Sequence, residues 1–128
     1  MILVDTSVWV EHLRSGNAAL AAELEAGRVL AHPLVVGELA CGTLRNRREV
    51  LDLLGRLPSA PTATHAEALD FIERRALMGR GIGFIDVHLL ASAALASPTQ
   101  LWTRDWRLAA IASELSLTAS ATSARPRR

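Results

Sequence analysis

The chain alternates short, unbroken apolar runs with longer stretches in which apolar side chains recur every three or four residues, and this alternation leaves few folds open. Ile2, Leu3 and Val4 form the first such run, β-favouring and without polar alternation, as in a strand covered on both faces. Asp5 closes it. Thr6 and Ser7 are N-cap residues for a helix whose Val8, Trp9 and Leu13 recur at helical spacing up to the Ser15-Gly16 stop. Asn17 caps a second helix that carries Leu20 and Leu24 and stops at Gly27. Arg28 to Ala31 reads as a strand, and Pro33 suits the first turn of the helix that follows. On that helix Leu34, Glu38 and Cys41 fall about one turn apart, so Glu38 interrupts an otherwise apolar face.

The run Arg45, Asn46, Arg47, Arg48 leads into a helix through Val50, Leu51, Leu53 and Leu54, ended by Gly55 and the Pro58 to Pro61 segment. A turn or short strand follows. Residues 66–78 predict an amphipathic helix with Leu69, Ile72 and Ala76 as its stripe, and Gly79, Gly81 and Gly83 a flexible loop. Residues 85–96 are a nearly all-apolar helix, yet Asp86 and His88 lie in its first turn. Residues 100–103 form a strand, residues 105–115 a helix, and residues 115–119 a last strand. Strands separated by helices throughout imply an α/β fold with a mostly parallel sheet. A chain of 128 residues has room for one domain, set here at residues 1–119. Residues 120–128, small, polar and basic, are expected to be a disordered tail.

The longest apolar stretches fall short of the roughly 18 residues a membrane span needs, and the opening Met-Ile-Leu-Val-Asp lacks the marks of a secretory signal. A soluble, cytoplasmic protein with no membrane partner is expected. Cys41 is the single cysteine; without Cys or His at zinc-ligand spacing it reads as packed. The net charge of +1 says nothing for or against nucleic acid.

In parallel sheets, sites gather at the carboxyl ends of the strands. Asp5 and Asp105 are expected there, Asp86 at the start of a buried helix, and Glu38 among apolar neighbours, all four where burial is expected. Each alone is compatible with a helix cap or an ion pair. Together, several partly buried carboxylates at one sheet edge repel one another unless a proton or cation neutralises them. Oxygen-only ligands point to Mg²⁺ or Mn²⁺ rather than zinc. Such ions activate water and stabilise phosphodiester cleavage, singly or in pairs.

Asp-Thr-Ser-Val-Trp at 5–9, Glu38 with Leu39-Ala40-Cys41-Gly42, Asp86 within Ile-Asp-Val-His-Leu-Leu-Ala-Ser-Ala, and Thr103-Arg-Asp105 resemble the successive motifs of the PIN domain. Length and order are most similar to the VapC-type toxins of bacterial toxin–antitoxin pairs. The resemblance implies a three-layer PIN-like fold and a Mg²⁺-dependent endoribonuclease acting on single-stranded or loop RNA of the tRNA or rRNA class. It also implies a homodimer and an antitoxin partner that binds in a groove near the acids. Asp5, Glu38, Asp86 and Asp105 match the family's acidic positions, while Thr6 or Ser7 and Thr103 match its metal-site hydroxyls. Where many relatives follow the last motif with an acid and an aromatic, this chain has Arg107 and Leu108, leaving Asp105 the sole acid there. Two alternatives stay open: a PIN-type nuclease outside such a pair, acting on other RNA or DNA, and a non-catalytic metal-binding module.

Arg45, Arg47 and Arg48 are candidate RNA contacts, and Arg80 and Arg104 flank the acidic motifs, suited to a scissile phosphate or an antitoxin group. Among the tryptophans Trp9 and Trp102 read as core and Trp106 as undecided. His12, His32, His65 and His88 read as packing residues. Val8, Leu13, Leu20 and Leu24 are candidates for apolar area left to a partner, against intramolecular packing.

Overall fold

The computed structural model describes residues 1–118. The basic tail expected over residues 120–128, and Ala119 at the end of the expected last strand, lie outside the described residues. Strands β1 (Ile2–Val4), β2 (Val29–Leu30) and β3 (Gln100–Trp102) form a parallel sheet in the order β2-β1-β3. Leu3 stands opposite Leu30 on one side and Leu101 on the other, and Val4 stands opposite Trp102. Single parallel bridges widen the sheet, Ala31 to Ser59 beyond β2 and Leu101 to Thr118 beyond β3. Among the described residues the strand expected over residues 115–119 is thus represented by one bridge.

Successive strand side chains point to opposite faces, yet Leu3 and Val4 are both 0 % exposed. Both faces are therefore covered, which explains why this strand lacks polar alternation. Seven helices are placed among the described residues: α1 (Thr6–Ser15), α2 (Ala18–Glu25), α3 (Pro33–Cys41), α4 (Arg47–Arg56), α5 (His65–Arg75), α6 (Phe84–Leu95) and α7 (Trp106–Glu114). The resulting order of helices around a parallel sheet is the three-layer α/β arrangement expected. Among the described residues no helix is long and apolar enough to cross a membrane.

Several local expectations change. Helix α1 begins at Thr6, with Asp5 in the N-cap position and no side-chain cap bond, because the Thr6 and Ser7 hydroxyls are turned to carboxylates. On α3 the buried residues are Val35 and Leu39, one turn apart. Glu38 and Cys41 lie off that face and are exposed, so the packed reading of Cys41 is overturned. Gly55 does not end α4, which runs to Arg56; buried Leu54 anchors the last turn, and the cost of one glycine in a helix, about 1 kcal/mol, is small against that packing. On α5 the buried residues are Ala68 and Phe71, while Leu69 is 48 % exposed. Phe71 takes the core position, and Ala76 lies past the helix as its left-handed cap. Val8 and Leu20 are fully buried and Leu13 and Leu24 pack on the same core, so intramolecular packing absorbs the residues considered for a partner.

Candidate active site

Asp5 is the junction of the sheet edge. It leaves β1 with its backbone N–H donating to the Trp102 carbonyl at 2.9 Å, which places it beside the end of β3. Its side chain is 6 % exposed, and Oδ2 accepts two hydroxyl protons, from Thr103 at 2.7 Å and Ser7 at 2.8 Å. Such charge-assisted bonds are the stronger kind and fix the carboxylate plane. Thr103 Oγ1 also accepts the Asp105 N–H at 3.0 Å, and Ser7 Oγ accepts the Arg104 N–H at 3.0 Å. The loop after β3 is thereby laced to the start of α1 through two small hydroxyls.

The other three acids are held by different local rules. Asp105 N-caps α7, its Oδ1 accepting the Arg107 N–H at 2.9 Å. Asp86, third residue of α6, reaches back so that Oδ2 accepts the Gly83 N–H at 3.1 Å. Glu38 on α3 accepts the Thr6 hydroxyl through Oε1, which joins α3 to α1. Asp86 and Asp105 thus cap helices, each through one oxygen, while Asp5 and Glu38 accept hydroxyl protons, each through one oxygen. Among the described residues the second oxygen of each of the four carboxylates takes no hydrogen bond.

Burial holds the Asp86 carboxyl above its ordinary range. The Gly83 N–H pulls it down, and the negative charges of Asp5, Asp105 and Glu38 push it up again. Asp5, Asp105 and Glu38, from three other segments, therefore lie near enough to act on the Asp86 carboxyl. The expectation that all four are buried is corrected: Asp5 is buried and Asp86 half-buried, but Glu38 and Asp105 are exposed. Strand ends carry side chains into the core edge, whereas a helix surface and an N-cap open to water.

The donor set suits a hard cation, since every available atom is a carboxylate or hydroxyl oxygen. Among the described residues no three acidic, histidine or cysteine side chains are arranged to grip one ion between them. A hard divalent cation is compatible with that arrangement, since such an ion can keep several waters and take only one or two carboxylates directly.

Among the described residues none of the predicted arginines pairs with one of the four acids. Arg80 pairs with Glu114 through two bonds of 2.7 and 3.2 Å, and Arg104 with Glu11 at 2.9 Å. Arg47 donates to the Ala40 and Gly42 carbonyls at the end of α3. Arg45 lines an open groove of about 640 Å³ that starts at Thr6 and Glu38 and runs past Val10, Arg14 and Leu44. Arg48 lies on the surface beside Asp52. Trp9 and Trp102 are core residues, as read, and Trp106 is exposed. His32, expected as a packing residue, is 1 % exposed and in addition caps α3, its Nδ1 accepting the Leu34 N–H at 3.0 Å. With Nδ1 an acceptor, Nε2 carries the proton and donates to Ser92 Oγ of α6 at 3.0 Å. The signal available was its place immediately before Pro33, an N-cap position.

Residues 2–114 match the family model described as the PIN domain. The chain is also 51 % identical, over 114 residues, to ribonuclease VapC32 of Mycobacterium tuberculosis, in strain CDC 1551 / Oshkosh and in strain ATCC 25618 / H37Rv alike. The matched region covers 89 % of this chain and 92 % of either relative.

Proposed function

This chain belongs to the PIN-domain family, and from that premise we propose that it is a Mg²⁺-dependent endoribonuclease, the toxin of a toxin–antitoxin pair, with Asp5, Glu38, Asp86 and Asp105 as its site. The observation that carries this reading is the pattern of oxygens. The four carboxylates each have one oxygen fastened by the fold and one left over. Burial raises the Asp86 carboxyl, and the negative charges of Asp5, Asp105 and Glu38 raise it further. A divalent cation removes that conflict.

Asp5 and Asp86 hold the ion, with Mn²⁺ able to stand in for Mg²⁺. When bound, the cation lowers the pKa of water and stabilises charge on the scissile phosphate and the leaving oxygen. Glu38 and Asp105, the more exposed pair, orient the attacking water and accept its proton through their unoccupied oxygens. Ser7 and Thr103 keep Asp5 from rotating, and Thr6 does the same for Glu38. Attack by water on phosphorus gives 5′-phosphate and 3′-hydroxyl ends, so no histidine pair is required. The substrate is single-stranded or loop RNA of the tRNA or rRNA class.

The groove beside Thr6 and Glu38 suits a short antitoxin segment, with Val10 and Leu44 offering apolar contacts and Arg14 and Arg45 charge. A homodimer in the cytoplasm completes the reading. The test is cleavage by purified protein, with Mg²⁺ and with chelator, of single-stranded RNA and of DNA of the same sequence. RNA cleavage that needs metal, leaves 5′-phosphate ends and disappears in Asp5→Asn is expected. Equal cutting of DNA removes the ribonuclease assignment, and undiminished cleavage by Asp5→Asn removes the mechanism.

A further inference from the structure

We infer that Trp106 and Arg107, the first two residues of α7, form a lip that grips the RNA strand entering the acidic site, the indole stacking on a base and the guanidinium binding a neighbouring phosphate. This rests on the ribonuclease reading above.

The chain holds three Trp and two Phe. Trp9, Phe71 and Trp102 are at most 5 % exposed, as expected of residues with so much apolar area to bury. Trp106 is 54 % exposed and directly follows Asp105. An indole left open to solvent beside an acidic site is a platform on which any base can stack.

Arg107 gives the lip its charge and its rigidity. Its guanidinium lies over the Trp106 ring, 5.4 Å from the centroid, and Nη1 donates to the Gly81 carbonyl at 3.3 Å. Gly81 has φ +84°, and a Cβ there would stand 2.8 Å from Arg107 Cδ, so the missing side chain lets the arginine lie against the loop before α6. One face of the indole is therefore covered by a held cation. The remaining N–H groups of that cation meet no carboxylate: among the described residues Arg107 forms no ion pair, unlike Arg80 and Arg104. A cation kept in place without an acidic partner is suited to a phosphate.

The experiment measures binding of a short, fluorescently labelled single-stranded RNA to Asp5→Asn protein in Mg²⁺ by anisotropy over a range of salt, together with KM and kcat for cleavage in the otherwise native chain. Trp106→Ala should weaken binding about tenfold and raise KM with little change in kcat, leaving the salt dependence unaltered. Trp106→Phe should restore most of the affinity. Arg107→Gln should weaken binding and reduce the slope of log K against log salt by about 0.7, one phosphate contact on a single strand. Unchanged RNA affinity and KM in both Trp106→Ala and Arg107→Gln, in protein that still cuts RNA before substitution, overturns the lip. Loss of antitoxin binding without loss of RNA binding overturns it also, by assigning the surface to the protein partner. Absence of RNA cleavage by the unaltered chain refutes the ribonuclease reading instead.

Discussion

Replacing Thr103 by Val deletes one oxygen and keeps the shape of the side chain, which isolates what that hydroxyl does for Asp5. Thr103 is 1 % exposed, donates to Asp5 Oδ2 at 2.7 Å and accepts the Asp105 N–H at 3.0 Å. A hydrogen bond to a charged group contributes about 1.5–3 kcal/mol, and the carboxylate it leaves behind stays buried. The lost Asp105 contact adds little, because Asp105 is exposed and water replaces Thr103. A destabilisation of ~2 kcal/mol is expected. With an unfolding entropy near 0.27 kcal/mol/K for a chain of this length, that corresponds to a fall of about 7 °C in Tm. The measurement is urea unfolding in chelator, so that no cation contributes, with Thr103→Val, Asp5→Asn and the double variant closing a cycle. In the Asp5→Asn background the same substitution should cost about half as much, since a neutral amide accepts more weakly than a carboxylate. A change of less than about 0.5 kcal/mol in Thr103→Val, or equal costs in both backgrounds, would refute the claim that this hydroxyl holds the acid in place.

Asp86→Asn should reduce cleavage on the order of a hundredfold or more while raising the metal-free Tm. A carboxyl whose folded pKa is raised contributes stability below its unfolded pKa and loses it as pH rises through the folded value, and the amide has no such loss. Chelator melts from pH 4 to 8 check this, and a lower Tm for Asp86→Asn at neutral pH would contradict it. His32 should act in the opposite sense: burial first, then the charge of His88, holds it below its ordinary value. The stability it contributes is present above its unfolded pKa and declines as pH falls through the lowered folded one, where a proton on Nδ1 would displace the Leu34 N–H. His32→Asn, which keeps a cap acceptor, should flatten that decline, and an unchanged pH profile would count against it. Leu89→Ala, at a site 0 % exposed on α6, should cost about 2–5 kcal/mol by denaturant titration, while a loss below ~1 kcal/mol would mean that α6 does not anchor the core.

The order of strands and helices was legible in the chain because burial on both faces of a strand erases polar alternation, and because caps such as Asn17 and turns such as Gly16 are local. The candidate acids stood out for a related reason: a carboxylate at the end of an apolar run, as Asp5 is, has no explanation in the run itself. Errors came where a local pattern competes with tertiary packing. Leu69 and Ala76 match a helical stripe as well as Ala68 and Phe71 do, and only the neighbouring helix decides which set is inside. Cys41 and Glu38 share a spacing with Leu34, but the core lies on the side of Val35 and Leu39.

The sequence by itself determined which residues can carry charge, close a strand or start a helix, since these are properties of single side chains and their nearest neighbours. Tertiary structure decided which oxygen of each acid is fastened, which arginines are already paired, and that Trp106 stays in solvent beside Asp105. Those outcomes depend on distances between segments far apart in the chain, as between Asp5 and Thr103, and no local pattern encodes such a distance.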